Sequence, residues 1–244
     1  MNNRRTSRAT KGAIALAIGA LAALLPFGAE QADAAVALFD FPCSSGSRIT
    51  GDFNNDGSPD IAFGAPGDDL EQVEVDGSLT DGVTDAGSIS VVYSGPENAD
   101  GLNPQFRPDP TTRLFFSQNT PSVSDNAEKD DNFGFSMVAG NFNGSGGTDL
   151  AIGIPGENGS AGAIQVLYSQ GAAGLAAGDP GSTAFNRVIT QNSPGVEGVA
   201  EAGDLFGYAV ASGDFNSDGI DDLAIGAPRE DIGSRKDAGV LHII

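Results

Sequence analysis

A nine-residue pattern occurs three times in this chain, and this repetition limits the possible folds more than any other feature. The copies span residues 52–60, 141–149 and 214–222. Oxygen-bearing side chains stand at positions 1, 3, 5 and 9 of each copy, and a glycine stands at position 6. Calcium takes about six to eight oxygen ligands, and glycine permits the sharp turn that lets alternate residues converge. The pattern indicates three calcium loops, although Asp- and Gly-rich stretches also form turns without a metal.

The candidate ligands are the side chains at positions 1, 3, 5 and 9 and the backbone carbonyl at position 7. In the first copy these are Asp52, Asn54, Asp56, Ser58 and Asp60. In the second copy they are Asn141, Asn143, Ser145, Gly147 and Asp149, and in the third Asp214, Asn216, Asp218, Ile220 and Asp222. At the ligand positions the first and third copies hold three aspartates each and the second holds one. We therefore expect two strong calcium sites and one weak site.

The surroundings of the loops argue against an EF-hand. That loop needs a glutamate at position 12 and a helix on either side. Position 12 here is Phe63, Ile152 or Ile225, each within a short apolar run. Each loop is therefore expected to form the bend of a β-hairpin.

Other motifs recur at similar sequence distances before and after the loops. Phe-Gly precedes the second and third copies, at 133–134 and 206–207, and Gly-Ala-Pro or Gly-Ile-Pro follows every copy, at 64–66, 153–155 and 226–228. An Ala-Gly strand comes next, at 86–94, 161–169 and 238–244, and a further strand with a Gln-Asn turn closes the first two units, at 112–121 and 187–194. Phe133 and Phe206 are 73 residues apart, as are Gln118 and Gln191. Four short strands per unit without a helical pattern predict an all-β fold, made of β-propeller blades of four antiparallel strands.

Taken together, these motifs resemble the FG-GAP repeat of integrin alpha-subunit propellers. Similar repeats occur in bacterial surface and secreted proteins and in the propeller of glycosylphosphatidylinositol-specific phospholipase D. The resemblance covers roughly residues 48–244 and implies calcium in the hairpin loops of some blades, held by the residues named above. A family propeller is a closed ring of about seven blades, whereas this chain holds about three. We expect an incomplete propeller: a truncated product, an open array capped by a partner, or one that closes by self-assembly.

The start of the chain has the pattern of a secretory signal. Arg4, Arg5, Arg8 and Lys11 form a basic region, residues 12–29 are mostly apolar, and Ala32-Asp33-Ala34 offers a cleavage site. A retained membrane anchor is the alternative, and both the general and the twin-arginine export routes stay open. The expected organisation is a signal peptide at 1–34, a linker at 35–47, and repeats at 48–117, 118–190 and 191–244. The product is then secreted or displayed at the cell surface.

The charge of the chain limits its partners. The net charge is −21, and removal of the signal would leave −23. Such a chain repels nucleic acid and anionic lipid, so we expect neither nucleic-acid binding nor membrane insertion after signal removal. Cys43 is the single cysteine, so it is a free or buried thiol or forms an intermolecular bridge. The acidic stretch between Pro66 and Ala86 is expected to be a solvated, mobile excursion, or else a second cation- or ligand-binding element.

The sequence offers little for catalysis. His242 is the only histidine, among apolar neighbours, and neither a G-x-S-x-G elbow nor a zinc-binding spacing occurs. A catalytic carboxylate pair stays open, but we predict no enzyme. The favoured function is a secreted, calcium-stabilised module that binds an extracellular protein or glycan. The alternatives are the propeller part of a secreted hydrolase or phospholipase, and a surface repeat without a specific ligand.

Overall fold

The computed structural model describes residues 47–70, 74–75, 78–79, 82–94, 113–121, 123–175 and 186–244. The predicted signal peptide, the linker up to residue 46 and Cys43 lie outside these residues. The predictions for those segments are therefore unchanged by the structure.

The first sheet is a four-stranded antiparallel meander with an excursion between its second and third strands. Its strands are β1 (Arg48–Gly51), β2 (Asp60–Ala65), β5 (Ser88–Val92) and β6 (Arg113–Phe116), in the spatial order β1-β2-β5-β6. The excursion carries the two-stranded ribbon β3 (Glu74–Val75) and β4 (Ser78–Leu79). Backbone bonds between Leu70 and Val83, of 2.9 and 3.1 Å, close this excursion at its base. The described part of this acidic stretch thus contains paired backbone. That the stretch is a solvated, mobile excursion, or else a second cation- or ligand-binding element, stays a prediction.

The second and third sheets repeat the meander. The second has the order β10-β9-β8-β7, built from β7 (Ser136–Gly140), β8 (Asp149–Ile154), β9 (Ala163–Leu167) and β10 (Asn186–Ile189). The third has the order β11-β12-β13, built from β11 (Ala209–Gly213), β12 (Asp222–Ala227) and β13 (Val240–Ile243). The prediction of an all-β chain of antiparallel propeller blades is confirmed, with four strands in each of the first two blades and three in the described part of the third.

The apolar run after the second loop forms a strand that is covered on both faces. All six residues of β8 and all five of β9 are buried, since the second sheet lies between the other two. One core cluster, which includes Phe53, Phe133 and Ile152, joins the first and second sheets. A second cluster, which includes Phe206 and Ile225, joins the second and third. Burying a phenylalanine completely contributes about 1.5–3 kcal/mol, so the Phe-Gly motif anchors each blade to the one before it.

Glycines allow the blades to approach this closely. Gly87 forms a parallel bridge with Phe133, and Gly162 forms the same bridge with Phe206. A Cβ atom on Gly162 would lie 2.1 Å from the carbonyl oxygen of Phe206. The strand β7 contacts β1 on one side and β11 on the other, which is the arrangement of inner strands in consecutive propeller blades.

Helical structure is confined to short turns in the described part of the chain. One turn spans Glu157–Ser160, with left-handed backbone at Asn158 and Gly159, and a 3₁₀ turn spans Gly171–Ala173. No helix in the described ranges has the length and apolar character needed to cross a membrane.

Candidate cation-binding loops

The three nine-residue loops stand side by side at one end of the blades. Each connects the first strand of a sheet to the second, as the sequence predicts. The backbone N–H of Thr148 donates to the carbonyl of Asp52 at 3.3 Å, and that of Asp221 donates to the carbonyl of Asn141 at 3.0 Å. Position 8 of one loop is thus bonded to position 1 of the loop before it. The loops form a connected row.

All three loops curl in the same way. The residues at positions 4 and 6 have left-handed backbone, with φ of 54° and 86° in the first loop, 69° and 83° in the second, and 63° and 88° in the third. Position 6 is the glycine that the sequence predicts to close the turn. Position 4, occupied by Asn55, Gly144 and Ser217, was not predicted to be left-handed, although Asn and Gly tolerate that region best.

The aspartate at position 1 organises the first and third loops. Asp52 accepts the backbone N–H of Asp56 at 3.0 Å on one carboxylate oxygen and that of Gly57 at 3.0 Å on the other. Asp214 accepts the N–H groups of Asp218 and Gly219 at 3.0 and 2.9 Å. Because each carboxylate oxygen has two lone pairs, one backbone donor per oxygen leaves further capacity for a cation.

Positions 3 and 5 continue the curl with the same hydrogen bonds in both loops. Asn54 accepts the N–H of Asp56 at 3.1 Å, and Asp56 accepts that of Ser58 at 2.8 Å. In the third loop, Asn216 accepts from Asp218 at 2.9 Å, and Asp218 accepts from Ile220 at 2.8 Å. The predicted ligand side chains therefore already fold over the inside of the turn. The carbonyl role of position 7 stays a prediction.

The aspartate at position 9 also has an anchoring role that was not predicted. Asp60 is fully buried and accepts the N–H groups of Phe53 at 2.9 Å and Ser94 at 2.8 Å. Asp149, also fully buried, accepts those of Phe142 at 2.9 Å and Ser169 at 2.8 Å. Burial raises the pKa of both carboxyls to about 6, against the opposing effect of these backbone donors. In these two loops, position 9 thus ties the loop to the second residue after the third strand of its blade.

The third loop has the same aspartate in a more open setting. Asp222 accepts the backbone N–H groups of Phe215 at 2.8 Å and Asn216 at 3.2 Å. Its carboxylate is only partly buried.

The second loop differs from the other two at position 1. Asn141 replaces the aspartate, and its Oδ1 atom is buried without a hydrogen-bond partner. Its backbone N–H donates at 2.7 Å to the carboxylate of Asp221, which belongs to the third loop. A neighbouring blade therefore brings a carboxylate to the loop that has fewest of its own. Sequence alone could not show this contact, because the two residues are 80 positions apart.

The loops hold their carboxylates apart. Among the residues that the structure describes, three carboxylates with oxygens within 4.8 Å of one another occur at one place, Glu128, Asp131 and Glu157, outside the loops. In the loops the oxygens are turned towards different backbone N–H groups, as above. No sequence motif indicates this other acidic group, because Glu157 lies 26 residues beyond Asp131.

His242 is packed as a core residue. Its ring meets Phe206 edge-on at a centroid distance of 5.4 Å, and its Nε2 atom is buried without a hydrogen-bond partner. It therefore does not orient a nucleophile in this structure. Absence of enzymatic activity stays a prediction.

Comparison with known proteins agrees with the repeat pattern. The model of the family "FG-GAP repeat" matches residues 49–92 and 206–244. Integrin alpha-PS2 of Drosophila melanogaster is 31% identical over 139 residues, which is 55% of this chain and 8% of that protein. Integrin alpha-8 of Gallus gallus is 29% identical over 119 residues, 47% of this chain and 10% of that protein. Integrin alpha-M of Mus musculus is 37% identical over 92 residues, 37% of this chain and 7% of that protein. The chain thus spans a tenth or less of each of these relatives.

Proposed function

Because this chain is an integrin-alpha-like FG-GAP repeat protein, we propose that it is a secreted or surface-displayed propeller module that binds an extracellular protein or glycan. Calcium in the hairpin loops has a structural role: it holds the row of loops rigid. The binding surface is made by loops rather than by a catalytic pocket. We propose further that the chain is of the bacterial secreted type, that a signal peptide directs its export, and that its repeats meet at 117/118 and 190/191.

The observation that carries the proposal is the common conformation of the three loops. Each has left-handed backbone at positions 4 and 6, and in the first and third the carboxylates at positions 1 and 5 already curl over the turn. The chain also has a net charge of −21, so bound divalent cations relieve its self-repulsion. The alternative, a propeller attached to a hydrolase or phospholipase, is not favoured, because the curated relatives above are integrin alpha chains.

The expected energetic effect of calcium is modest for one site and substantial for several. Extracellular modules bind calcium with Kd values of roughly 0.1–1 mM. At about 1 mM calcium and a Kd near 0.1 mM, each site stabilises the folded chain by about 1.4 kcal/mol. Two such sites matter against a typical total stability of about 5–15 kcal/mol.

Thermal melting of the full chain tests the structural role of calcium. We expect the melting temperature to rise in millimolar calcium relative to excess chelator, with a smaller rise in magnesium at equal ionic strength. Identical melting in calcium and chelator would rule out the structural role.

Binding assays test the module itself. The full chain is immobilised and exposed to a glycan array and to purified extracellular matrix proteins, with calcium and with chelator. Calcium-dependent binding to a defined ligand is expected. No binding under either condition would support a structural surface repeat instead.

Export has its own test. If the full-length gene is expressed in a secreting host, the protein in the medium should begin at Ala35, after the Ala32-Asp33-Ala34 site. An N-terminus that retains residues 1–34 on membrane-bound protein would instead indicate an anchor.

A further inference from the structure

Three carboxylates meet outside the loops, at the junction of the first two blades. Ligand oxygens of Glu128, Asp131 and Glu157 all lie within 4.8 Å of one another. Asp131 is 1% and Glu157 2% exposed, whereas Glu128 reaches the surface. Buried carboxylates this close repel one another unless a proton or a cation lies among them.

The backbone around these carboxylates joins the two blades. The N–H groups of Asp130 and Asn132 donate to the carbonyls of Thr84 and Asp85 of the first blade, both at 3.0 Å. The N–H of Gly156, in the second blade, donates to the carbonyl of Asp131 at 3.0 Å. The acidic group therefore sits on the segment that crosses from one blade to the next.

A buried amide contacts this group and has one unsatisfied atom of its own. Gln118 is 2% exposed, and its Nε2 donates to Glu157 Oε2 at 2.5 Å. Its Oε1 is buried and accepts no hydrogen bond. A buried carbonyl oxygen without a donor is costly, and native structures seldom leave one without a protein, water or ion partner. The amide that carries this oxygen contacts the group through Glu157, and within the described ranges no ion pair involves Glu128, Asp131 or Glu157.

The same arrangement recurs 73 residues later. Gln191 Nε2 donates to Glu230 Oε2 at 2.5 Å, and Gln191 Oε1 is again buried without a partner. The backbone N–H of Glu201 donates to Asp204 at 2.7 Å, as that of Glu128 donates to Asp131 at 2.5 Å. Gln118 and Gln191 thus both leave Oε1 unpaired at equivalent positions of two repeats. The unpaired amide oxygen is therefore a property of the repeat and not a packing defect at one position.

The charges around Glu128, Asp131 and Glu157 are negative. Burial, followed by the charge of Asp131, raises the pKa of Glu157 to about 7. Burial also raises the pKa of Asp131 to about 6, and the carboxylates of Glu128 and Asp125 act in the same direction. A cation at this place would remove the repulsion that these groups share.

We propose that Glu128, Asp131, Glu157 and the side-chain oxygen of Gln118 form a binding site for a hard divalent cation of the calcium class. The donors are all oxygens, which suits calcium or magnesium and not zinc or copper. The site is separate from the nine-residue loops and fastens the second blade to the first. It does not depend on the adhesive role proposed above.

Calcium titration of the full chain by calorimetry, after removal of metal with chelator, tests the site. Glu128→Gln is the primary variant because its side chain is exposed and its loss should not disturb folding. We expect it to lose one bound calcium, or to weaken one site by about tenfold or more, the loss seen when metal-site partners are removed. Glu157→Gln should act on the same site, and Glu128→Gln combined with Asp218→Asn should lose one calcium more than Asp218→Asn alone.

Glu197→Gln is the matched control, since it makes the same exchange at another exposed position. It should keep the stoichiometry of the wild type. Should Glu128→Gln bind calcium with unchanged stoichiometry and affinity, the proposal is wrong, whether or not Glu157→Gln folds. Crystals grown in manganese should show an anomalous peak among the three carboxylates, and a map without one while the loops are loaded would also overturn the site.

Discussion

At the scale of single residues, the glycines of the repeat allow neighbouring blades to pack closely. The carbonyl oxygen of Gly134 lies 2.1 Å from where a Cβ atom on Gly64 would be, and that of Gly207 lies 2.2 Å from the corresponding point on Gly153. Real Cβ contacts are never this short, so one blade can seat against the next only where the side chain is missing. The glycines of the Phe-Gly and Gly-Ala-Pro motifs face each other across this boundary.

Replacement of Gly162 by alanine tests whether the contact between blades requires a residue without a side chain. Gly162 has φ of +86°, and an added Cβ atom would meet the backbone of Phe206. Gly195 has a similar φ of +91° with open space around it, so Gly195→Ala carries only the backbone strain of about 1–2 kcal/mol. We expect Gly162→Ala to lower the free energy of unfolding by about 1–3 kcal/mol more than this control, measured by urea denaturation. Equal losses would mean that the blades are not packed this closely.

At the scale of the element, the first and third hairpin loops are held in their curl by their own hydrogen bonds. Asp52 and Asp214 at position 1 hold two backbone N–H groups each, and Asp60 and Asp149 at position 9 tie their loops to the sheet. A cation would therefore bind to a loop whose backbone is already curled, which reduces the entropy cost of ordering the backbone, while the carboxylates would still have to converge.

The loops should differ in calcium response according to their charge. Asp56→Asn and Asp218→Asn remove one carboxylate each but keep an oxygen to accept the backbone N–H of Ser58 or Ile220. We expect both to reduce the difference in melting temperature between calcium and chelator. Ser145→Ala, in the loop with a single aspartate, should change it much less. Equal reductions in all three variants would contradict the ranking of two strong sites and one weak site.

At the scale of the whole molecule, the fold buries four carboxyls whose negative charge no cationic side chain among the described residues offsets. The pKa values of Asp60, Asp131 and Asp149 are raised to about 6, and that of Glu157 to about 7, in each case chiefly by burial. The ordinary values of these groups are near 4. The folded state therefore binds protons more tightly than the unfolded state does at neutral pH.

The pH dependence of stability follows from this difference. In chelator, the contribution of these four groups is complete below about pH 4 and is lost as the pH rises through about 6 to 7. The urea midpoint should therefore fall between pH 5 and pH 8. Millimolar calcium should flatten or reverse this fall, because cations and protons compete for the same oxygens. A midpoint that rises with pH in chelator would contradict the uncompensated burial of these carboxyls.

The local features of this protein follow from its sequence because they depend on interactions between residues that are close together in the chain. Alternating oxygen side chains with a glycine at position 6 specify a curled loop, and the Gly- and Pro-bounded apolar runs specify strands. The 73-residue spacing shows that these units are copies. The fold class, the hairpin position of the loops and the resemblance to integrin alpha propellers could all be derived in this way.

Contacts between blades were decided only by the tertiary structure. Gln118 and Glu157 are 39 residues apart, and Asn141 and Asp221 are 80 apart, so no local pattern indicates that they meet. The same holds for the buried setting of Asp60 and Asp149, since a carboxylate that caps a strand end and one that faces a cation look alike in sequence. Backbone propensity acts over a few residues, whereas the field around a buried carboxylate depends on every segment that packs against it.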